Sequence, residues 1–414
     1  MILNHKIPMK HLKNIFYALF FATKCFCEQI YISEPVIVED FVGSGFVGDV
    51  DGIGNQTMFQ ITENGNYYLS KDENQNFYFL SGQYDNKSLK KISQNGTITT
   101  IGSKAKFTFS SFLGADFYLV SEFYNTIYKT RDFSDYSIHK KVLTPNLSFI
   151  GGMCIDSFGN IYLAYTLENK IYRLKPTGEM EVFVGSGNKG SGDGNGIFSS
   201  FNRPKHLAID SLNNIYVNDS DNWTVRIIDS SKNVKTFAGQ PNLVSSYHFD
   251  GPREVSLCRG IEGLTCDTNG NLIISVSESI RIIDKTGYIK TIAGDYFKSG
   301  YKNGSGKDSR FEKTADVISV GNTIYVAEGK YPRIRKITIG QNSIKKPVDN
   351  ISIKLSAGIT INGTVGKKYT IESSSDGGKQ WIGLTELDLT KSPYTWYDEN
   401  SVGTNNLYRV FETP

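Results

Sequence analysis

One stretch of text recurs along this chain at an interval of about 55 residues, and that repeat limits the available folds more than any other feature. Gly185, Gly239 and Gly294 close three matching segments, ending Phe-Val-Gly, Phe-Ala-Gly and Ile-Ala-Gly, 54 and 55 residues apart. The clearest unit covers residues 190–239. It contains four short runs of β-branched and aromatic residues bounded by Asn, Asp, Ser or Gly. These runs predict strands at 206–210, 214–218, 224–229 and 234–238. The first two strands are joined by one turn in three copies: Asp156-Ser-Phe-Gly-Asn160, Asp210-Ser-Leu-Asn-Asn214 and Asp267-Thr-Asn-Gly-Asn271. Asn and Gly tolerate the positive φ that such hairpins need.

Texts equivalent to the second strand begin at Phe77, Phe117, Ile161, Ile215, Leu272 and Ile324, so six four-stranded units are expected. The unit at 109–143 is the most degenerate. The last unit has a third strand at 333–337 but lacks the closing one. The missing text stands at the other end: Val38-Glu-Asp-Phe-Val-Gly-Ser-Gly45 matches Met180-Glu-Val-Phe-Val-Gly-Ser-Gly187. A strand at 36–42 is therefore expected to complete the sixth unit and close a ring, which removes two exposed sheet edges. The fold class expected is all-β, a six-bladed β-propeller over residues 28–341.

The units resemble NHL-type propeller repeats. The matching residues are Gly190 to Gly194, Phe201, Pro204, Asp210, Asn214 to Asp219, and Val225 to Ile228. The resemblance runs over residues 36–341 and is weakest in the second unit. The Gly-His and Trp-Asp signature of WD-type repeats is absent. After a linker at 342–350 the character changes. Residues 351–414 read as five or six short strands, a small β-sandwich-like module. They resemble C-terminal modules of secreted bacterial proteins at Trp381, Asp398 and Tyr408-Arg409.

The first 27 residues read as a signal peptide. Lys6, Lys10 and Lys13 precede an apolar run at 15–22, too short to span a bilayer, and Cys25 and Cys27 suit the positions before a cleavage site. A buried N-terminal helix or an uncleaved anchor is the alternative. A secreted protein, extracellular or periplasmic, is expected, with no membrane span. Cys154, Cys258 and Cys266 remain; either Cys258 and Cys266 pair, or all three are small buried residues. The net charge of +3 over 414 residues shows no basic excess of the kind nucleic acid selects.

In the layout implied by the resemblance, ligands meet the loops at one face of the ring. The most unusual loop carries Asp221, Asn222 and Trp223, where family repeats usually place a polar residue at the last position. An exposed Trp beside carboxylates suits a peptide or sugar, though it also suits packing between blades. Tyr124, Asn169 with Glu168, and Tyr331 with Lys330 hold comparable positions. Asp49, Asp51 and Asp193 lie in Gly-Asp-Gly loops that lack the six to eight oxygens calcium takes, so they are expected to order turns. The reading is a non-catalytic, monomeric scaffold with no cofactor, binding an extracellular protein, peptide or glycan. The alternative is a metal-dependent lyase or hydrolase at the channel, as the peptide-amidating lyases of this fold would suggest. After residue 27 it has only His139, His206 and His248 to draw on, and no Gly-x-Ser-x-Gly elbow is present.

Overall fold

The computed structural model describes residues 36–60, 68–83, 86–105, 109–113, 116–121, 126–130, 140–143, 150–241, 250–253, 256, 258–340, 358–361, 365–374, 382–390, 394–397 and 407–412. The chain forms two compact units, Met1–Ile344 and Lys345–Pro414. The expected signal peptide and linker lie outside the described residues. Among those described, no helix is long and apolar enough to cross a membrane.

The larger unit is a β-propeller whose strands form six sheets of four or five strands. The fourth sheet shows the pattern: Pro204–Ile209, Ile215–Asp219, Thr224–Ile228 and Asn233–Ala238 follow one another antiparallel from the inside outward. The innermost strands of the other sheets are Ser70–Lys71, Phe109–Leu113, Ile150–Ile155, Ile261–Cys266 and Thr314–Val320. Neighbouring innermost strands touch one another.

Why the sheets gather is visible in the second strands. Ile215–Asp219 is buried along its whole length. Ile215 and Val217 pack with Cys154, Tyr162 and Phe183 of the third sheet, while Tyr216 packs with Leu264 and Ile274 of the fifth. Side chains alternate between the faces of a strand, and here both faces are apolar, so each sheet needs a neighbour on either side. One apolar cluster lies between each successive pair of sheets, and the last joins Ile318, Tyr325 and Ile334 of the sixth to Phe77, Phe79 and Ile92 of the first. Each such side chain contributes about 1.5–3 kcal/mol when buried.

Two polar devices repeat with the sheets. The first is the turn after the innermost strand. Asp156 Oδ1 accepts from the backbone N–H of Phe158 and Asn160, and Oδ2 accepts from the Asn160 amide and the Tyr162 hydroxyl. Asp210 and Asp72 repeat the full set of side-chain bonds. The second device is a buried cation on the third strand: Lys90, Arg226, Arg281 and Arg335 are at most 1% exposed. Arg226 bonds Asp219 at 3.1 Å, Asp193 at 2.7 Å and the carbonyls of Gly192 and Ser200. Lys90 holds Asp49 and, at 2.9 Å, Asp51; Arg335 holds Glu328, Asp40 and Asn303. Of the Gly-Asp-Gly aspartates, Asp51 accepts from Thr100 N–H and Asp193 from Thr236 N–H and so order backbone, whereas Asp49 is held by Lys90. Their larger partner, the buried cation, was not anticipated.

Val36–Val42 pairs along Arg333–Ile339, from Val36↔Ile339 to Val42↔Ile334, so the sixth sheet contains strands from both ends of the propeller text. At the centre of the same seam Leu69 N–H donates to Asp316 and Lys71 donates to the Ser319 carbonyl. In the smaller unit, Gly358–Ile361 pairs with Tyr394–Tyr397, and Lys368–Ser374 lies between Ile382–Asp388 and Leu407–Glu412. These are two separate small sheets, and the facing pair that a sandwich requires is not among the described residues. Trp381 and Asp398 lie outside them.

Two measurements follow from this packing. A chain beginning at Asp49 lacks Val36, Val38 and Val42 from the cores, and its Tm should be lower by at least about 5 °C in a circular-dichroism melt. Arg226→Met leaves Asp219 buried without its counter-charge, and denaturant unfolding should show a loss of about 3–5 kcal/mol.

Candidate functional site

Because successive strands alternate in direction, the loops joining second to third strands emerge at the same edge as the segments leading into the innermost strands. That loop face holds most of the residues singled out from sequence. Trp223 ends the short 3-10 turn Ser220–Asn222 in the left-handed region, φ 58° and ψ 36°. Asn169, with φ 54°, holds the same place in the third sheet. The strand-closing glycines explain why the backbone turns there. A Cβ on Gly239 would stand 2.6 Å from the Trp223 carbonyl, and one on Gly185 2.7 Å from that of Asn169. The left-handed conformation costs a residue such as Trp about 1 kcal/mol, whereas Asn adopts it readily. The half-buried Trp223 ring lies against the exposed Arg259, whose guanidinium is 4.9 Å from the ring centre.

Its neighbours divide into ligand-accessible and structural groups. Asp221 is exposed, 3.9 Å from Arg203 Nε. Asn222 is buried, and its amide donates to Asp219 and to the Gly190 carbonyl, both at 2.7 Å. It braces the loop, and the Asn222-Trp-Thr sequon is closed to a glycan in the folded chain. Asn169 is also buried, donating to the Gly187 carbonyl and accepting from Arg203 N–H. Tyr331 is exposed, with Lys330 Nζ 5.2 Å and the Arg333 guanidinium 5.6 Å from its ring; Arg333 also stacks at 4.1 Å on Tyr301. Tyr124 lies outside the described residues. The structure thus joins Trp223, Asp221, Arg203 and Arg259 into one patch and places Tyr331, Tyr301 and Arg333 in another. Arg203, Arg259, Arg333 and Tyr301 had no sequence signal, because an Arg on a loop is ordinarily a solvated tip.

At the ring centre the innermost strands enclose a cavity of about 280 Å³ lined by residues including Tyr68, Lys71, His206, Thr265, Cys266 and Asp316. Burial governs its charges. The Asp316 carboxyl is pushed up to about 8, although the Leu69 and Val317 N–H groups donate to it at 2.6 and 2.8 Å. The His206 imidazole is pushed down to about 4 by burial, with Lys205 adding to the shift. Burial also holds the Cys266 thiol far up and lowers Lys71. Near neutral pH the channel is therefore lined mainly by uncharged polar groups.

All three described thiols are free, Cys154 and Cys258 buried and Cys266 half-buried. Cys258 precedes the strand Ile261–Cys266 and Cys266 ends it; a strand of that length spans about 16 Å. A disulfide needs its Cα atoms within about 7 Å, so the pairing of these two is excluded in this fold. His139 and His248 lie outside the described residues. Among those described, no three His, Cys, Asp or Glu side chains come together as a metal would require.

Comparison with known proteins supports the resemblance to NHL repeats. Over 106 residues, 25% of the chain, it is 36% identical to NHL repeat-containing protein 2 of Bos taurus, and the match spans 14% of that protein's length. No protein-family model matches. Among solved structures, an auxiliary nutrient binding protein from Bacteroides thetaiotaomicron superposes with a TM-score of 0.58 at 15% identity, covering 76% of this chain and 78% of that one. A structural genomics protein of unknown function from the same species gives 0.57 at 20% identity, covering 73% and 76%. At such identities the likeness concerns the fold.

The channel carries a measurable pH signature. Asp316 keeps its proton to about pH 8 when folded but only to about 3.8 when unfolded, so its contribution to stability falls as pH rises between those values. His206 does the opposite between about 4 and 6.5. Of these two, only Asp316 still titrates above pH 6.5. The Tm should therefore fall from pH 6.5 to 8, and Asp316→Asn should flatten that fall in thermal scans across this range.

Proposed function

We propose that this chain is a secreted, non-catalytic binding scaffold, extracellular or periplasmic. In this reading its six sheets are the blades of one closed ring whose loop face takes a peptide, protein or glycan. Residues 1–27 serve as the signal peptide. The segment 351–414 is a small β module for adhesion or sorting, joined by a linker at 342–350.

The observation that carries this reading is Trp223. Folding alone would be served at that position by an Asn, as in the third sheet. The chain instead holds a large aromatic in a strained conformation, half-exposed and propped by Arg259. Strain retained at a surface aromatic points to a contact. Asp221 and Arg203 add charge of both signs beside it, and Tyr331 with Tyr301 and Arg333 form a second aromatic and cationic patch on the same propeller. The solved propeller described as an auxiliary nutrient binding protein is consistent with binding as a use of this fold.

The test pairs a glycan and peptide array with a melt. Residues 28–414 should select one class of ligand, and Trp223→Asn should weaken that binding at least about tenfold, a cost of about 1.4 kcal/mol. The same substitution should leave the Tm unchanged or raise it, since the left-handed strain is relieved. Unchanged binding with a lowered Tm would instead make Trp223 a packing residue.

A further inference from the structure

The central channel has a construction of its own. Gly152 pairs with Ala164, Gly263 with Ser275 and Asp316 with Ala327, the same rung in three sheets. His206, next before the Leu207–Val217 pair, takes that rung in the fourth. The two glycines make the rung possible. A Cβ on Gly263 would stand 2.5 Å from Asp316 Oδ1, and one on Gly152 3.0 Å from His206 Cα. The rings of Tyr68, just before the first sheet's innermost strand, and of His206 in the fourth sheet meet with centres 6.0 Å apart. Small residues in two sheets thus accommodate polar and aromatic ones in the others.

We propose that this channel is a binding site for a small uncharged molecule with hydroxyl groups on adjacent carbons, of monosaccharide or cyclitol size. It is separate from the loop-face site and does not depend on it. Size sets the first limit: about 280 Å³ holds roughly nine waters at ~30 Å³ each, comparable to a molecule of about a dozen non-hydrogen atoms. The second argument is the pattern of hydrogen-bonding groups. The side chains of His206 and Thr265 make no hydrogen bonds among the described residues, yet both line the cavity. A neutral imidazole offers one donor and one acceptor, and a hydroxyl offers both. Adjacent hydroxyls on a ligand also each donate and accept, so they match this lining where a simple anion or cation does not. Charge is the third. Burial keeps His206 and Cys266 neutral, and the one ammonium among the described lining residues, Lys71, is engaged by the Ser319 carbonyl. An ion entering would surrender its water with little compensation. The flat Tyr68 and His206 rings add walls suited to the apolar face of a sugar ring.

Occupancy is read from the melting temperature of the intact chain, since a molecule that binds only the folded channel raises it. The probes are glucose, galactose, myo-inositol, glucosamine and glucuronate at equal concentrations. At least one of the three uncharged probes should protect the fold, raising the Tm by about 2 °C at ten times its Kd. Glucosamine and glucuronate should give little protection. Thr265→Val, and separately His206→Leu, should remove the protection in proteins that still melt cooperatively. Equal protection by charged and uncharged probes, protection by none, or protection that survives in both folded variants would overturn the proposal.

Discussion

A sheet that is apolar on both faces cannot end a stack, and the rest of this molecule is an answer to that constraint. The second strands, such as Ile215–Asp219 and Leu272–Val276, are buried from end to end. Each therefore demands a neighbour on either side. A closed circuit satisfies every sheet at once, where a linear stack would leave two faces wet. The seam between the sixth and first sheets is where that circuit is completed. It is secured at the outside by Val36–Val42 and at the centre by Asp316 and Lys71.

The buried cations show how the connecting loops are held without cores of their own. Arg226 reaches back to Asp193, Gly192 and Ser200, all in the segment that leads from the third sheet into the fourth. Arg335 does the same for Lys302, Asn303 and Arg310. An ion pair so deep is strong only because carbonyls share the guanidinium with the carboxylates. The loop face thus rests on fixed supports, and Trp223 and Arg259 sit on a rigid base.

Much of the ring was legible in the sequence, and the reasons differ by residue. The Asp-to-Asn turns were readable because one local motif satisfies both the side chain and the backbone, so the same letters recur at each copy. The strand-closing glycines were readable as a period, though their cause, a carbonyl of the preceding loop pressing on Gly239 and Gly185, needed the structure. Arg226 was hidden in plain text: in Val225-Arg-Ile-Ile228 an Arg in an alternating strand reads as outward-facing, and only its partners from distant loops reverse that. Of the loop residues chosen from sequence, Asn169 and Asn222 prove to be braces while Asp221 and Tyr331 are exposed. Of Tyr68, His206, Gly263 and Asp316 at the channel, only His206 was singled out from sequence, since the four stand far apart in the chain and meet only when the circuit forms.

The strand that closes the seam has a consequence for how the chain reaches its native form. Val36 pairs with Ile339, about 300 residues away in sequence. Five sheets can assemble in the order they emerge from synthesis, each onto the one before. The sixth cannot: its outer strand is made first and must wait, unpaired, for nearly the whole propeller text to follow. Contacts of such long sequence separation form slowly, because the loop entropy is spent before any contact repays it. Pairing of this strand must follow synthesis of the sixth sheet, and until it occurs Val36, Val38 and Val42 form an apolar segment open to wrong partners. The same strand that makes the finished ring durable makes the unfinished one vulnerable.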